Sequence, residues 1–352
     1  MITWVLVILA FSVMIIIHEL GHFLMALRVG IKVEIFSIGM GPKVFSVKRN
    51  GIEYRLSAVP LGGYVKMLGE DPGEPTSGDK GEFSAQPVGN RFKVIFSGPL
   101  LNYILGFLLL SLVFALGYPT ITSKIGGLVK DYPAEAAGVR AGDKILSING
   151  KPVSDWDDIT DIIHKRTEGD VKLSVERSGQ RLELNIRPKI TETKDIFGNK
   201  VRIAQVGIKP SEKIEYVKHG PVESLSLGGK KIVYFTILTY KGLWGLITGK
   251  IPFKENVSGP VGIVSMMASA AKIGIIPLVH LTALISALLA IFNVLPIPPL
   301  DGGLILFLGI EKLRGKALAK KTQELLMQAG WAFFIALMLF ATYGDIFRMV
   351  GR

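Results

Sequence analysis

The chain of 352 residues contains no cysteine. Disulfides, thiolate zinc ligands and a cysteine nucleophile are therefore excluded, which leaves His, Asp and Glu as the side chains able to hold a metal. Charge is absent from Ile2 to Ile17. With no Lys or Arg ahead of it, this run lacks the basic start of a secretory signal peptide. It continues apolar to Leu27, apart from one polar cluster, and is expected to be a retained membrane helix. Nucleic-acid motifs are missing as well. The 41 Lys and Arg outnumber 29 Asp and Glu but are scattered, so a net charge of +12 implies attraction to anionic lipid headgroups and no nucleic-acid partner.

What is present is apolar surface. Hydrophobic residues make up 49% of the chain and its mean hydropathy is +0.41, the balance of a membrane protein carrying substantial soluble parts. The opening run ends in Ile15-Ile16-Ile17-His18-Glu19-Leu20-Gly21-His22. A helix puts His18 and His22 on one face, a spacing that suits two ligands of a tetrahedral zinc, with Glu19 beside them to take a proton from water. His18 lies about 24 Å along such a helix, inside a hydrocarbon core of about 30 Å. Ionisable groups at that depth are expensive and mark function.

Three further stretches are long and uncharged enough to span: Val94–Leu116, about Ile275–Leu295, and Leu325–Tyr343. Between the last two lie Lys312, Arg314, Lys316, Lys320 and Lys321, which place that loop in the cytoplasm. Both termini and the region Gly117–Gly274 then fall outside, and Lys32–Lys93 inside. Within 28–93, Lys43–Lys48 and Ile52–Leu56 read as strands around an Asn50-Gly51 turn, and Asp71–Gly89 reads as a mobile polar stretch. This β element is either a small cytoplasmic cap or a strand edge that holds substrate extended.

Residues 118–190 read as a compact β-rich module, with Asn149-Gly150 and Ser178-Gly179 turns and a short helix around Trp156, Ile159, Ile162 and Ile163. Its order, and the run Pro133–Asp143, resemble a bacterial, circularly permuted PDZ domain, which implies a groove for an extended peptide or a substrate end. Over 191–220 there are strand-like fragments but no clear element. Val222–Leu246 reads as a membrane-surface helix broken at Gly228-Gly229, inside a linker running from 191 to 274.

A zinc site needs a third ligand. Asn293-Val294-Leu295-Pro296-Ile297-Pro298-Pro299-Leu300-Asp301-Gly302-Gly303 ends an apolar helix in a proline-broken segment carrying a carboxylate. Such backbone is tolerated at membrane depth only beside protein or a wet cavity. The first and third spans run the same way, so His22 and Asp301 fall at one level. His280 precedes Asp301 by 21 residues, about 30 Å if helical, and His164 and His219 lie in the external region.

These motifs together resemble the site-2 protease family, specifically its bacterial RseP-like regulated intramembrane zinc metalloproteases. The resemblance covers nearly the whole chain. It takes in the HExxH span (1–27), Phe96-Ser97-Gly98-Pro99-Leu100-Leu101-Asn102 in the second span (94–116), and the PDZ-like module. It continues through Gly259-Pro260-Val261-Gly262-Ile263, the Asn293…Asp301 segment (275–303), and a fourth span (325–343). It implies His18, His22 and Asp301 as Zn2+ ligands, Glu19 as general base, Asn293 as a substrate contact, and 28–93 as a membrane-reentrant β element. Enterobacterial relatives of this type carry two PDZ domains, whereas one is legible here.

The expected fold is thus a polytopic α-helical membrane protein with four transmembrane helices, a membrane-associated β hairpin and one extracytoplasmic PDZ-like domain. The expected activity is cleavage of single-span proteins, anti-sigma-factor-like or remnant signal peptides, after a first external cut. It would take place in the bacterial inner membrane, with the active site toward the cytoplasm. An inactive membrane PDZ scaffold is the alternative, but it has no use for a base at Glu19. A metal transporter is disfavoured because only one clustered polar site lies in the spans.

Overall fold

The uncharged opening run becomes a single helix, α1 (Ile2–Arg28), in a computed structural model. The structure describes residues 1–70, 78–166, 168–195, 199–211, 213–252 and 257–350. After α1 come β1 (Val33–Arg49), β2 (Ile52–Met67), α2 (Val88–Leu116), β3 (Tyr118–Ile121), β4 (Ile125–Leu128), α3 (Pro133–Ala136), β5 (Lys144–Ile148), β6 (Lys151–Pro152) and α4 (Trp156–His164). Then follow β7 (Val171–Arg177), β8 (Gln180–Ile186), β9 (Lys189–Lys194), β10 (Lys200–Gln205), β11 (Ile208–Pro210), β12 (Ile214–Val217) and α5 (Pro221–Ile247). The chain ends in α6 (Pro260–Ile273), α7 (Ile275–Asn293), α8 (Asp301–Arg314) and α9 (Lys320–Val350). Two compact units result, Met1–Val113 with Val222–Thr239 and Phe253–Arg352, and Phe114–Pro221 with Tyr240–Pro252.

In the first unit, four helices are long and apolar enough to cross a membrane: Ile2–Arg28, Val88–Leu116, Ile275–Asn293 and Lys320–Met349. The third ends at Asn293 because Pro296, Pro298 and Pro299 cannot continue it, and Asp301 opens α8 as a separate helix. The hairpin is much longer than the expected strands. Asn50 (φ 51°) and Gly51 (φ 81°) make its tight turn, and β1 pairs antiparallel with β2 through several register shifts. β2 lies along α1: the Ser12 hydroxyl donates to the Pro60 carbonyl at 2.7 Å. A Cβ on Gly63 would stand 3.2 Å from Glu19 Cγ.

Two expectations are corrected in this unit. Of the stretch read as mobile, residues 71–77 lie outside the described residues. The rest is tied down by bonds such as Lys32 N–H to the Gly81 carbonyl (2.9 Å) and Phe83 N–H to the Leu68 carbonyl (2.7 Å). Nor do Gly228 and Gly229 break a surface helix, since α5 is continuous. Gly228 instead lets α5 approach α2, where a Cβ would meet Ser111 Oγ at 2.3 Å. Ile232 is buried with Leu110, Ala283 and Ala287 of α2 and α7. Glycine in an apolar helix here serves close packing. The Gly259–Ile263 motif has the same logic: buried Asp345 of α9 accepts the backbone N–H of Gly259 (3.1 Å) and of Gly262 (2.6 Å) at the start of α6.

The second unit holds an antiparallel sheet in the order β6-β5-β7-β8. Its core of Ile125, Ile145, Ile148, Ile159, Leu173 and Ile186 is almost fully buried. Asp155 caps α4 by accepting the Asp158 N–H at 3.0 Å. Asp143 is 1% exposed and takes a two-pronged bond from Arg177, Nε at 2.7 Å and Nη2 at 2.8 Å. Burial works against its charge, yet Arg177 and the Arg140 amide hold the carboxyl below the usual carboxylate range. Residues 191–220, where the sequence shows strand-like fragments but no clear element, hold most of β9 and all of β10–β12. β11 pairs with β4 and β12 with β3, so the module extends beyond 190. These strands are short and exposed, with Ile214 and Tyr216 facing out, so no alternation marks them in sequence.

Candidate metal centre

One helical turn separates His18 from His22, and their rings meet edge-on with centroids 4.8 Å apart. The two Nε2 atoms are 3.2 Å apart. Asp301 Oδ2 lies 3.2 Å from His18 Nε2 and 3.6 Å from His22 Nε2. One ligand atom from each of the three residues thus falls within 4.8 Å of the others. His22 Nδ1 donates to the Val94 carbonyl at 2.9 Å, which fixes the ring so that Nε2 presents its lone pair. Asp301 Oδ2 is buried with no hydrogen-bond partner among the described residues. A buried carboxylate oxygen facing two imidazole nitrogens is costly unless a cation satisfies all three. This donor set suits a zinc with three protein ligands and one open position.

The surroundings are built by small residues. A Cβ on Gly98 of α2 would lie 2.2 Å from His22 Nε2, so any larger residue there would displace the ring. A Cβ on Gly21 would lie 2.3 Å from the Ser97 carbonyl oxygen. The Ser97 hydroxyl stands 2.7 Å from the Gly21 carbonyl and 2.6 Å from the Val94 carbonyl, pinning α1 to α2 beside His22. Asp301 sits in the first turn of α8, where a carboxylate is favoured. Its two following glycines have no room for side chains. A Cβ on Gly302 would meet the Leu295 carbonyl oxygen at 2.0 Å, and one on Gly303 the Pro298 nitrogen at 2.6 Å. The proline-broken loop therefore folds back under the start of α8 and fixes Asp301.

The model of peptidase family M50 matches residues 6–337. The chain belongs to peptidase family M50. Its curated relatives include three proteins each named a "putative zinc metalloprotease". The one from Campylobacter jejuni is 37% identical over 348 residues, 98% of this chain and 93% of that protein. The one from Clostridium acetobutylicum is 35% identical over 348 residues, 97% and 96% of the two chains. The one from Agrobacterium fabrum is 32% identical over 361 residues, 98% and 95%. Among solved structures, the PDZ domain of the SdrC-like protein from Listeria monocytogenes matches 26% of this chain and 88% of its own at 24% identity, with a TM-score of 0.19. The protein is a zinc metalloprotease with membrane helices.

In this M50 protease Glu19 follows the first histidine on α1. It is half-buried, takes a hydrogen bond from the Val65 amide of β2, and stands outside the three-ligand cluster. Asn293, the last residue of α7, is half-buried and makes no side-chain hydrogen bond among the described residues. His164, His219 and His280 do not join the cluster. Sequence reasoning assigned no role to Val94, Ser97 or Gly98. The available signal was the Ser-Gly-Pro string inside an apolar helix, since Pro99 cannot donate to the preceding turn and small residues permit close approach.

Proposed function

We propose that the protein cuts peptide bonds within or beside the transmembrane helices of single-span membrane proteins. The observation that carries this reading is the convergence of His18, His22 and Asp301, with Glu19 adjoining, on helices apolar enough to cross a bilayer. Bound by those three residues, zinc would supply Lewis acidity toward a scissile carbonyl and acidify water. Glu19 accepts the proton of the attacking water and passes it to the leaving amine. Asn293 and the β2 edge beside Glu19 hold the substrate extended, with β2 lending backbone groups as a strand template. The substrates are anti-sigma-factor-like proteins or remnant signal peptides already trimmed by another protease. The enzyme lies in the bacterial inner membrane with its site toward the cytoplasm. The module of residues 118–190 is an extracytoplasmic PDZ domain. A cleft of about 250 Å³ between its helix α4 (Trp156, Ile159, Ile163) and the following Val206 and Ile208 suits a peptide or a substrate end.

A helical substrate hides its carbonyls in hydrogen bonds, so unwinding precedes attack. In proteoliposomes, a single-span substrate with Gly, Pro or Asn at the scissile region is expected to be cut faster than one of uniform Leu, at least tenfold for Pro, because Gly weakens a helix by about 1 kcal/mol, Pro by about 3 and Asn by roughly half a kcal/mol. Equal rates would show that unwinding is not limiting. Cleavage confined to soluble loops would remove the intramembrane reading altogether.

A further inference from the structure

The two histidines of the cluster are unequally supported. His22 Nδ1 donates to the Val94 carbonyl, whereas His18 Nδ1 is buried with no hydrogen-bond partner among the described residues. A second orphan accompanies it: Asn102 of α2 is 1% exposed, and its Oδ1 likewise has no partner there. Leaving a donor and an acceptor unpaired in an apolar interior is expensive, and such pairs are usually joined.

Helix register brings the two orphans to one level. α1 and α2 run antiparallel, with His22 against Gly98. Eight residues earlier on α1, Met14 shares a cluster with Leu105, seven residues later on α2. His18, midway between His22 and Met14, falls opposite the turn that carries Asn102. Gly98 and Asn102 are four apart, so they share a face of α2 as His18 and His22 share a face of α1. The backbone of that turn is held by α7, where the Ser286 hydroxyl donates to the Asn102 carbonyl at 2.8 Å. This bond leaves the Asn102 amide side chain for another task.

We propose that Asn102 is the positioning residue of His18. Its Oδ1 accepts, through one buried water, the proton on His18 Nδ1, and so turns His18 Nε2 toward the metal as Val94 turns that of His22. A buried donor and acceptor left without direct partners are the kind of groups that a buried water joins. Outer-shell partners of metal-bound histidines set ring orientation and basicity, and losing one typically lowers metal affinity about 10–100-fold. The proposal rests on the zinc reading of His18, His22 and Asp301. That reading is tested separately, by whether the full-length protein binds one Zn2+ or Co2+ that His22→Ala abolishes.

The test uses the full chain in detergent, with Zn2+ affinity measured by chelator competition and the visible absorption of the Co2+ form as a report on ligand geometry. Asn102→Leu is expected to weaken Zn2+ binding about 10–100-fold and to shift the Co2+ bands. Asn102→Ser, which keeps an acceptor oxygen, is expected to stay within about threefold of the parent and to retain its bands. Ser286→Ala, which loosens the same turn without touching the side chain, should change neither. Where Asn102→Leu does not fold, Asn102→Val carries the same expectation. The proposal is overturned if the apolar variants bind Zn2+ as the parent does with unchanged bands. It is equally overturned if Ser286→Ala reproduces their loss, because Asn102 would then act only in packing α2 on α7.

Discussion

Glu19→Gln is expected to lower peptide-bond cleavage by about 10²–10⁴-fold while metal content stays near one per chain. The substitution is nearly isosteric, so α1 keeps its packing and the amide oxygen can still accept the Val65 N–H. What is lost is the capacity to take a proton. Glu19 also stands outside the three-atom cluster, so the ligand set remains intact. Metal analysis and cleavage of a model single-span substrate, run on one preparation, check both halves. Proteolysis retained above a few per cent would remove Glu19 as the base. Loss of metal along with activity would instead make it a structural part of the cradle. A scaffold that only binds peptides would show no change in its function, so the same variant separates the enzyme from that alternative.

Much of the site was legible because its chemistry conflicts with its surroundings. Two histidines and a glutamate at the end of an uncharged run have no cheap explanation in lipid, and the same is true of Asp301 behind three prolines. The candidate metal ligands announce themselves by being out of place. Their supports do not. Val94 acts through a backbone carbonyl, and Gly98 acts through the atoms it lacks, and neither leaves a mark that hydropathy or spacing can detect. The fold divides along similar lines. Long apolar helices and Asn-Gly turns were readable because each follows from local chemistry. The continuity of α5 was not, because a Gly-Gly pair suggests a break unless the partner helix that needs the close approach is known. β11 and β12 were missed for the related reason that their partners, β4 and β3, lie about 80–100 residues away in sequence, and short exposed strands owe their existence to pairing rather than to pattern.

The other large effect concerns Asp301. Asp301→Ala should strip the protein of metal under mild chelation and reduce cleavage to background, whereas His280→Ala should keep both metal and most activity. Without Asp301 the cluster falls to two imidazole nitrogens 3.2 Å apart, too few ligands to hold zinc in a three-ligand catalytic site. The fold should survive, because alanine is the strongest helix former and Gly302 and Gly303, which let the loop pack beneath α8, are untouched. His280 is the proper control because it too is a histidine on a membrane-spanning helix, α7, and its loss removes packing and polarity of the same kind. Metal content by atomic spectroscopy, measured with the unfolding temperature of each variant, separates ligand loss from general destabilisation. If both variants lose metal equally while remaining folded, the third ligand is not Asp301, and the site assembled from α1 and α8 is wrong. If Asp301→Ala keeps its metal and loses only activity, the carboxylate works on the substrate or on water, and the zinc is held from elsewhere.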